Sequence, residues 1–198
     1  MTGDFGQLYS CLEQRARDYA VRVISRQLPP ETPAEFDGPT IALDPGYHLE
    51  ARCYYLAHAL GSIAQWSTDS IGTHAVFDEL HEAEASRETD PARFEHALTN
   101  HLAFEQRSSE HAVWLLANVG QDWAIPGYTT FFRADLSAME EYHRTGVAPV
   151  WREFYAAWKQ KAASGKVTVQ PFELRPVPRF RAIPIPIQEV LRTEDEEK

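Results

Sequence analysis

The polar residues best placed to do chemistry lie in the middle of a long predicted helix. His101, Glu105 and Ser108 follow one another at steps of four and three residues, with apolar residues before and after them on the same line. This repeat is typical of a helix face that packs against a partner helix. A buried carboxylate without a partner normally becomes neutral or binds a cation. The pattern therefore predicts a polar site or a cleft on the inward face.

A second candidate group lies on an earlier predicted helix, which reads His58-Ala59-Leu60-Gly61-Ser62. Zinc peptidases place His-Glu-x-x-His on such a helix, where two imidazoles bind one metal ion and the Glu is the general base. Ala59 stands at the position of the base and Ser62 at that of the second imidazole. Because water on a metal would lack its proton acceptor, we expect no catalytic residue here.

The order of these segments resembles that of the ImmA/IrrE-type zinc metallopeptidases, whose members cleave repressors or regulate stress responses. The short strand of that family is similar to residues 40–44, and its Leu-Ala-His-x-Leu-Gly core to residues 52–61. Its third-ligand helix is similar to residues 104–112, which carries the ligand role to Glu105. The resemblance covers about residues 39–119 and implies zincin-like core helices.

His101 is a further candidate ligand, one turn before Glu105 on the same helix face. With His58, these residues would give a zinc ion a facial set of three ligands and leave positions open. The structural alternatives are a buried ion pair of Glu105 with Arg52 or Arg107, and a buried neutral imidazole at His101.

A di-iron carboxylate centre is another alternative. Four-helix di-iron proteins use Glu-x-x-His from two helices and one Glu from each of the other two. Similar spacing occurs here at Asp78-x-x-His81 and Glu140-x-x-His143, with Glu50 and Glu105 on other predicted helices. With 29 acidic residues and eight histidines in the chain, such pairs also arise by chance.

Hydrophobic periodicity predicts a mainly helical α+β domain with a small sheet. The predicted helices span about 4–27, 48–66, 71–86, 91–119, 130–143 and 149–163. Asp90-Pro91 provides a cap and a first-turn proline for the longest helix, and Gly120 ends it. Residues 40–43 predict a strand, residues 166–174 predict a weaker one, and residues 123–128 are expected to be irregular.

The 198 residues are predicted to form one globular domain, residues 1–174, and a proline-rich extended tail, residues 175–198. We expect the basic cluster of the tail to contact the acidic surface of its own domain, with an acidic partner as the alternative. That cluster comprises Arg175, Arg179 and Arg181 around Phe180. The tail ends in an acidic run at residues 194–197, which is typical of a solvated terminus.

Composition argues against several classes of partner. The formal charge of −10 at pH 7 argues against nucleic acid as the main ligand, because phosphate binders concentrate Lys and Arg. No apolar run approaches the ~20 residues that span a bilayer, and the N-terminus lacks the features of a signal peptide. Cys11 and Cys53 lie on apolar helical faces, which indicates buried thiols in a reducing compartment. We therefore expect a cytoplasmic protein without membrane contact.

Aromatic residues make up 12% of the chain and cluster in its second half. Most are expected in the core, but an exposed subset would mark a surface for a protein partner. The candidates for that surface are Trp123, Tyr128, Phe131 and Phe132.

The expected function is that of an inactive metallopeptidase-like domain acting as a protein-binding or regulatory module. Its contact would be the remnant cleft around Ala59, Ser62 and Ser108. This interpretation requires no cofactor. The first alternative, a metal-dependent hydrolase with the ligands His58, His101 and Glu105, requires zinc. The second, a di-iron carboxylate oxidoreductase, requires two irons. The sequence leaves the partner, the pathway and the oligomeric state open.

Overall fold

The computed structural model describes residues 3–29 and 32–185 and confirms a mainly helical α+β fold. Its helices are α1 Phe5–Asp18, α2 Leu49–Thr68, α3 Ser70–Ala85, α4 Pro91–Asn118, α5 Ile125–Thr145 and α6 Trp151–Ala163. Its strands are β1 Arg22–Ser25, β2 Ala34–Phe36 and β3 Thr40–Leu43. Within these described ranges, no helix has the length and apolar character needed to cross a membrane.

The three strands form one sheet in the order β1-β3-β2. The central strand β3 runs parallel to β1, with Val23 opposite Ile41, and antiparallel to β2, with Glu35 opposite Ala42. Ile41, Ala42 and Leu43 are buried. In this order β2 is an edge of the sheet formed by the described residues, and it borders the cavity described below.

The first predicted helix is too long, because the chain leaves α1 after Asp18. Tyr19 follows as the C-cap residue, and Ala20 has a positive φ of 59° that turns the backbone away from the helix. Val23 and Ile24 then pair with β3. Since β-branched side chains suit an extended strand, pairing with a distant segment overrides the helical spacing.

The strand predicted at residues 166–174 is wrong, and the described residues there form no strand. The Arg133 guanidinium donates instead to the carbonyls of Gln170 at 2.9 Å and Pro171 at 3.2 Å. Its charged carbon lies 4.0 Å from the ring centroid of Phe172, which is buried. The Arg133 side chain thus binds carbonyls that a neighbouring strand would otherwise bind. The strands that pair with β3 are β1 and β2.

Two helix starts show how local chemistry sets the boundaries. The Asp90 side chain accepts from the backbone amide of Arg93, and Pro91 occupies the first turn of α4, as predicted. Helix α5 begins earlier than predicted, at Ile125, so much of the stretch 123–128 is helical and not irregular. Pro126 is tolerated there because a first-turn residue needs no amide donor.

The described part of the tail, residues 175–185, packs on the domain. Val177 and Ile185 are buried, and the backbone amide of Arg175 donates to the carbonyl of Glu110. The Arg175 Nε also donates to the Glu110 carboxylate at 2.7 Å. This contact is of the kind expected between the basic cluster and acidic residues of its own domain. The acidic run predicted to be a solvated end lies outside the described residues.

Helices α2 and α4 approach closely at Gly61. A Cβ built on Gly61 would lie 2.3 Å from the backbone oxygen of Ser108, well inside contact distance. Only a residue without a side chain permits this approach. Three residues earlier on each helix are His58 and Glu105, so the approach at Gly61 brings their side chains within reach of each other.

Gly61→Ala is expected to destabilise the protein by about 1–3 kcal/mol, because the added methyl group meets a backbone carbonyl that moves only if a helix moves. Helix propensity alone predicts the opposite sign, a gain of about 0.8–1 kcal/mol. Urea unfolding followed by circular dichroism measures the difference. A variant as stable as the wild type, or more stable, would show that the two helices do not approach this closely.

Candidate functional site

His58 and Glu105 meet across the contact between α2 and α4. The Nε2 atom of His58 lies 2.9 Å from Oε2 of Glu105. Only 14% of the His58 side chain and 12% of the Glu105 side chain are exposed. Two of the three candidate ligands are therefore in direct contact.

The other ring nitrogen of His58 is engaged as well. Its Nδ1 lies 3.3 Å from the Tyr128 hydroxyl and 3.4 Å from the Ser109 hydroxyl. Phe132 stacks on the ring, with centroids 4.2 Å apart and planes 10° apart. Because the Glu105 carboxylate can only accept, Nε2 of His58 is the donor in that contact, and Nδ1 faces the two hydroxyls. Both ring nitrogens of His58 therefore lie within hydrogen-bond reach of protein groups.

The Glu105 carboxylate is held in its charged form. Burial alone would raise the pKa of Glu105, because it penalises the charge. The hydrogen bond and charge of His58, with smaller effects from His101 and His143, outweigh burial and place the pKa of Glu105 below its usual value. The structural alternative predicts an ion pair of Glu105 with Arg52 or Arg107. The partner of Glu105 is instead His58.

His101 does not join this pair. Its ring lies against those of Phe77 and His143, with centroids 5.1 and 5.2 Å away. Burial lowers the pKa of His101, and its Nδ1 has no hydrogen-bond partner among the described residues. In residues 3–29 and 32–185, no group of three or more His, Cys, Asp or Glu side chains could hold a metal ion. The residues present therefore do not fit a zinc ion held by His58, His101 and Glu105.

The residues of the di-iron alternative have other partners or are exposed. The His143 Nδ1 lies 2.6 Å from a Glu84 carboxylate oxygen, and Glu140 pairs with an arginine one turn away on its own helix. Asp78 and His81 are exposed on α3. The structure thus gives no support to a two-metal centre in the described part of the chain.

A cavity of about 350 Å³ opens beside His58. Apart from tyrosine hydroxyls, the titratable groups that line it are His58 and Asp135. Most of the remaining lining is apolar or aromatic, and it includes Phe36 of the edge strand β2. Ala59, one of the three residues assigned to the cleft from the sequence, also borders the cavity.

Ser62 and Ser108 do not line this cavity, which corrects the predicted cleft. The Ser62 hydroxyl donates to the Ser108 hydroxyl at 3.0 Å, and both residues are buried between α2 and α4. Small hydroxyl side chains fit there because the helices approach so closely at Gly61.

The predicted aromatic partner surface is wrong for Tyr128, Phe131 and Phe132, each of which is at most 5% exposed. They pack in the core between α2 and α5, where their rings contact Tyr54 and His58. The fourth candidate, Trp123, is half-buried. Large aromatic side chains contribute most when buried, so their clustering does not by itself indicate exposure.

Exposed apolar side chains occur at Tyr142 of the cavity lining and in the segment that joins α5 to α6, which contributes Pro149 to that lining. Tyr142 lines the cavity and is 41% exposed, and Val147 and Val150 in the connection between α5 and α6 are 68% and 59% exposed. Trp151 follows directly and lines the cavity as well. The sequence signal for this surface is the apolar run Val147–Val150 between two helices.

Asp135 is the candidate residue that the sequence analysis missed. It lies half-buried on α5 and lines the cavity. Burial raises the pKa of Asp135 to about 6, while the charge of His58 acts in the opposite direction and that of Glu105 adds to the effect of burial. No hydrogen bond or salt bridge joins its carboxyl to another described residue. The only sequence signal is an acidic residue in line with the buried aromatics of α5.

Comparison with known proteins gives no match: no family model, no curated protein and no solved structure is similar enough to this chain to identify it. The likeness to the ImmA/IrrE-type peptidases rests on the sequence segments 40–44, 52–61 and 104–112. What the site can do therefore follows from its own geometry.

Glu105→Leu is expected to destabilise the protein by about 3 kcal/mol at pH 7, because the His58 Nε2 loses its partner in a shielded site. Glu105→Gln keeps an acceptor oxygen and should lose only about 1 kcal/mol. The pKa of Glu105 is lowered by folding, so its contribution is present above the unfolded-state pKa and is lost as the pH falls through the folded-state value. Urea unfolding at pH 7 and at about pH 3 measures both effects.

The control for this pair is Glu82→Gln, which removes an exposed surface partner of Arg93 and should leave stability unchanged. If Glu105→Leu unfolds at the same urea concentration as the wild type at pH 7, the contact with His58 does not stabilise the fold.

Asp135→Asn is expected to stabilise the protein by about 1–3 kcal/mol at pH 8, because the wild type then carries a charged carboxylate in a dehydrated site. A pKa raised by folding means that the folded state binds the proton more tightly. The gain should therefore shrink as the pH falls through about 6 and vanish near about pH 4.

Urea unfolding of wild type and variant at both pH values makes the measurement. Asp78→Asn on α3 removes an exposed carboxylate and serves as the matched control, with no gain expected at either pH. A gain of equal size at pH 4 and pH 8 would contradict a raised pKa at Asp135.

Proposed function

We propose that this protein is a peptidase-like domain that does not hydrolyse peptides and instead binds a segment of a protein partner in the cavity beside His58. The observation that carries the proposal is the contact of His58 with Glu105. It commits the one imidazole of the motif to a carboxylate, at the position where a zinc peptidase presents that imidazole to its metal. The sequence resemblance to the ImmA/IrrE-type metallopeptidases supports the peptidase-like scaffold.

The His58 helix lacks residues that metal-dependent peptide hydrolysis needs. Ala59 provides no general base, and Ser62 is buried against Ser108. Neither nitrogen of His58 is free, since one contacts Glu105 and the other lies near two hydroxyls. The described residues therefore support a binding role for the cavity better than a catalytic one.

Three features next to the cavity suit a protein ligand. Strand β2 is a sheet edge, and an extended segment of another protein can add to such an edge through main-chain hydrogen bonds. The cavity itself provides an apolar pocket for a side chain of that segment. Tyr142 of the lining, together with Val147 and Val150 next to Pro149 in the chain, exposes apolar area of the kind that marks interaction sites.

The test is selection of peptides from a displayed library against the wild-type protein, followed by titration of the selected peptides into variants. Tyr142→Ala and Val150→Ala should weaken binding about tenfold or more, as for anchor contacts at an interface. Ile71→Ala should not, since it truncates an 84% exposed residue of α3 that lies outside the lining of the cavity. Circular dichroism confirms that each variant is folded.

Equal binding to all three variants would place the contact elsewhere and contradict the proposal. Cleavage of the selected peptides in the presence of zinc, lost in His58→Ala, would contradict it in a different way. That outcome would favour the hydrolase alternative over a binding module.

A further inference from the structure

We infer that the cavity beside His58 selects a cationic side chain, that of arginine or lysine, from the partner segment that enters it. This inference rests on the proposed function and specifies the chemistry of the occupant. The carboxylate of Asp135 would bind the charged end, and the aromatic wall would contact the stem of the side chain.

The charges around the cavity favour a cation. None of the described residues that line it is Lys or Arg, and its carboxylate, Asp135, forms no hydrogen bond or salt bridge with another described residue. His58 also lines the cavity, but its Nε2 already contacts Glu105. The nearest basic side chain on α5, Arg133, donates to Gln106 and to two backbone carbonyls. The carboxylate is thus without a cationic partner within the described structure.

The wall of the cavity suits the rest of such a side chain. Five aromatic rings contribute to the lining, those of Phe36, Tyr47, Tyr55, Tyr142 and Trp151. The face of an aromatic ring attracts a cation, and the carbon stems of lysine and arginine lie readily along apolar surface. The volume of about 350 Å³ is at the lower end of the range for small-ligand pockets, about 300–1,000 Å³, and suits one long side chain.

Binding a cation would also relieve the burial of the carboxylate. Burial raises the pKa of Asp135 to about 6, which reflects how poorly the surrounding protein solvates its charge. A guanidinium or ammonium group at hydrogen-bond distance stabilises the charged form and would lower that pKa. An acidic side chain has the opposite effect, because it adds a third negative charge to those of Asp135 and Glu105.

The test is a series of four capped pentapeptides, acetyl-Ala-Val-Xaa-Val-Ala-amide, in which Xaa is Arg, Lys, Gln or Glu. Each is titrated into the 198-residue protein at pH 7.5 and followed by the NMR signal of the Trp151 indole and by calorimetry. The Arg and Lys peptides should bind about tenfold or more tightly than the Gln peptide, with the Glu peptide weakest.

Asp135→Asn should remove the preference for Arg and Lys while leaving the affinity for the Gln peptide within about twofold. The variant is expected to fold, since it loses an unfavourable buried charge. Asp78→Asn, on the exposed side of α3, is the matched control and should keep the preference.

The outcomes distinguish failure of this inference from failure of the proposed function. Equal affinity for the Arg, Gln and Glu peptides, or a preference for Arg that survives Asp135→Asn, overturns the inference while peptide binding at the cavity stands. So does failure of all four peptides when library-selected peptides still bind at the cavity. If no peptide of any kind binds there, the proposed function falls as well.

Discussion

The structure depends on how closely α2 and α4 approach at Gly61. A side chain there would collide with the backbone of Ser108, so the absence of a Cβ sets the distance between the two helices. That distance lets His58 reach Glu105 at 2.9 Å and lets Ser62 bond Ser108 at 3.0 Å. Two contacts between polar side chains thus join the helices on either side of Gly61.

Two carboxylates near His58 occupy different environments and suit different roles. Glu105 is buried with a partner, and His58 holds the pKa of Glu105 below its usual value. Asp135 is half-buried without one, and burial raises its pKa to about 6. Residues that bind ligands commonly reduce stability in the unbound protein. On this account, Glu105 stabilises the scaffold, and Asp135 provides binding chemistry at a cost in stability.

The sequence predicts a structural feature well when that feature depends on residues close to it in the chain, and poorly when it depends on distant ones. Asp90 and Pro91 start α4 through neighbouring atoms, and the start was predicted correctly. Val23 pairs with Ile41 of another strand, so its helical spacing was misleading. The importance of Asp135 depends on a cavity built by β2, α2, α5 and α6 together, and no spacing within α5 contains that information.

The central claim is that His58 is committed to Glu105 and not to a metal ion, and nitrogen-15 NMR of the histidine side chains tests it most directly. The account predicts that Nε2 of His58 carries a proton that exchanges slowly with water, that Glu105→Leu removes this signal, and that one equivalent of zinc leaves the His58 ring signals unchanged. A stoichiometric shift of the His58 ring nitrogens on addition of zinc would contradict the account.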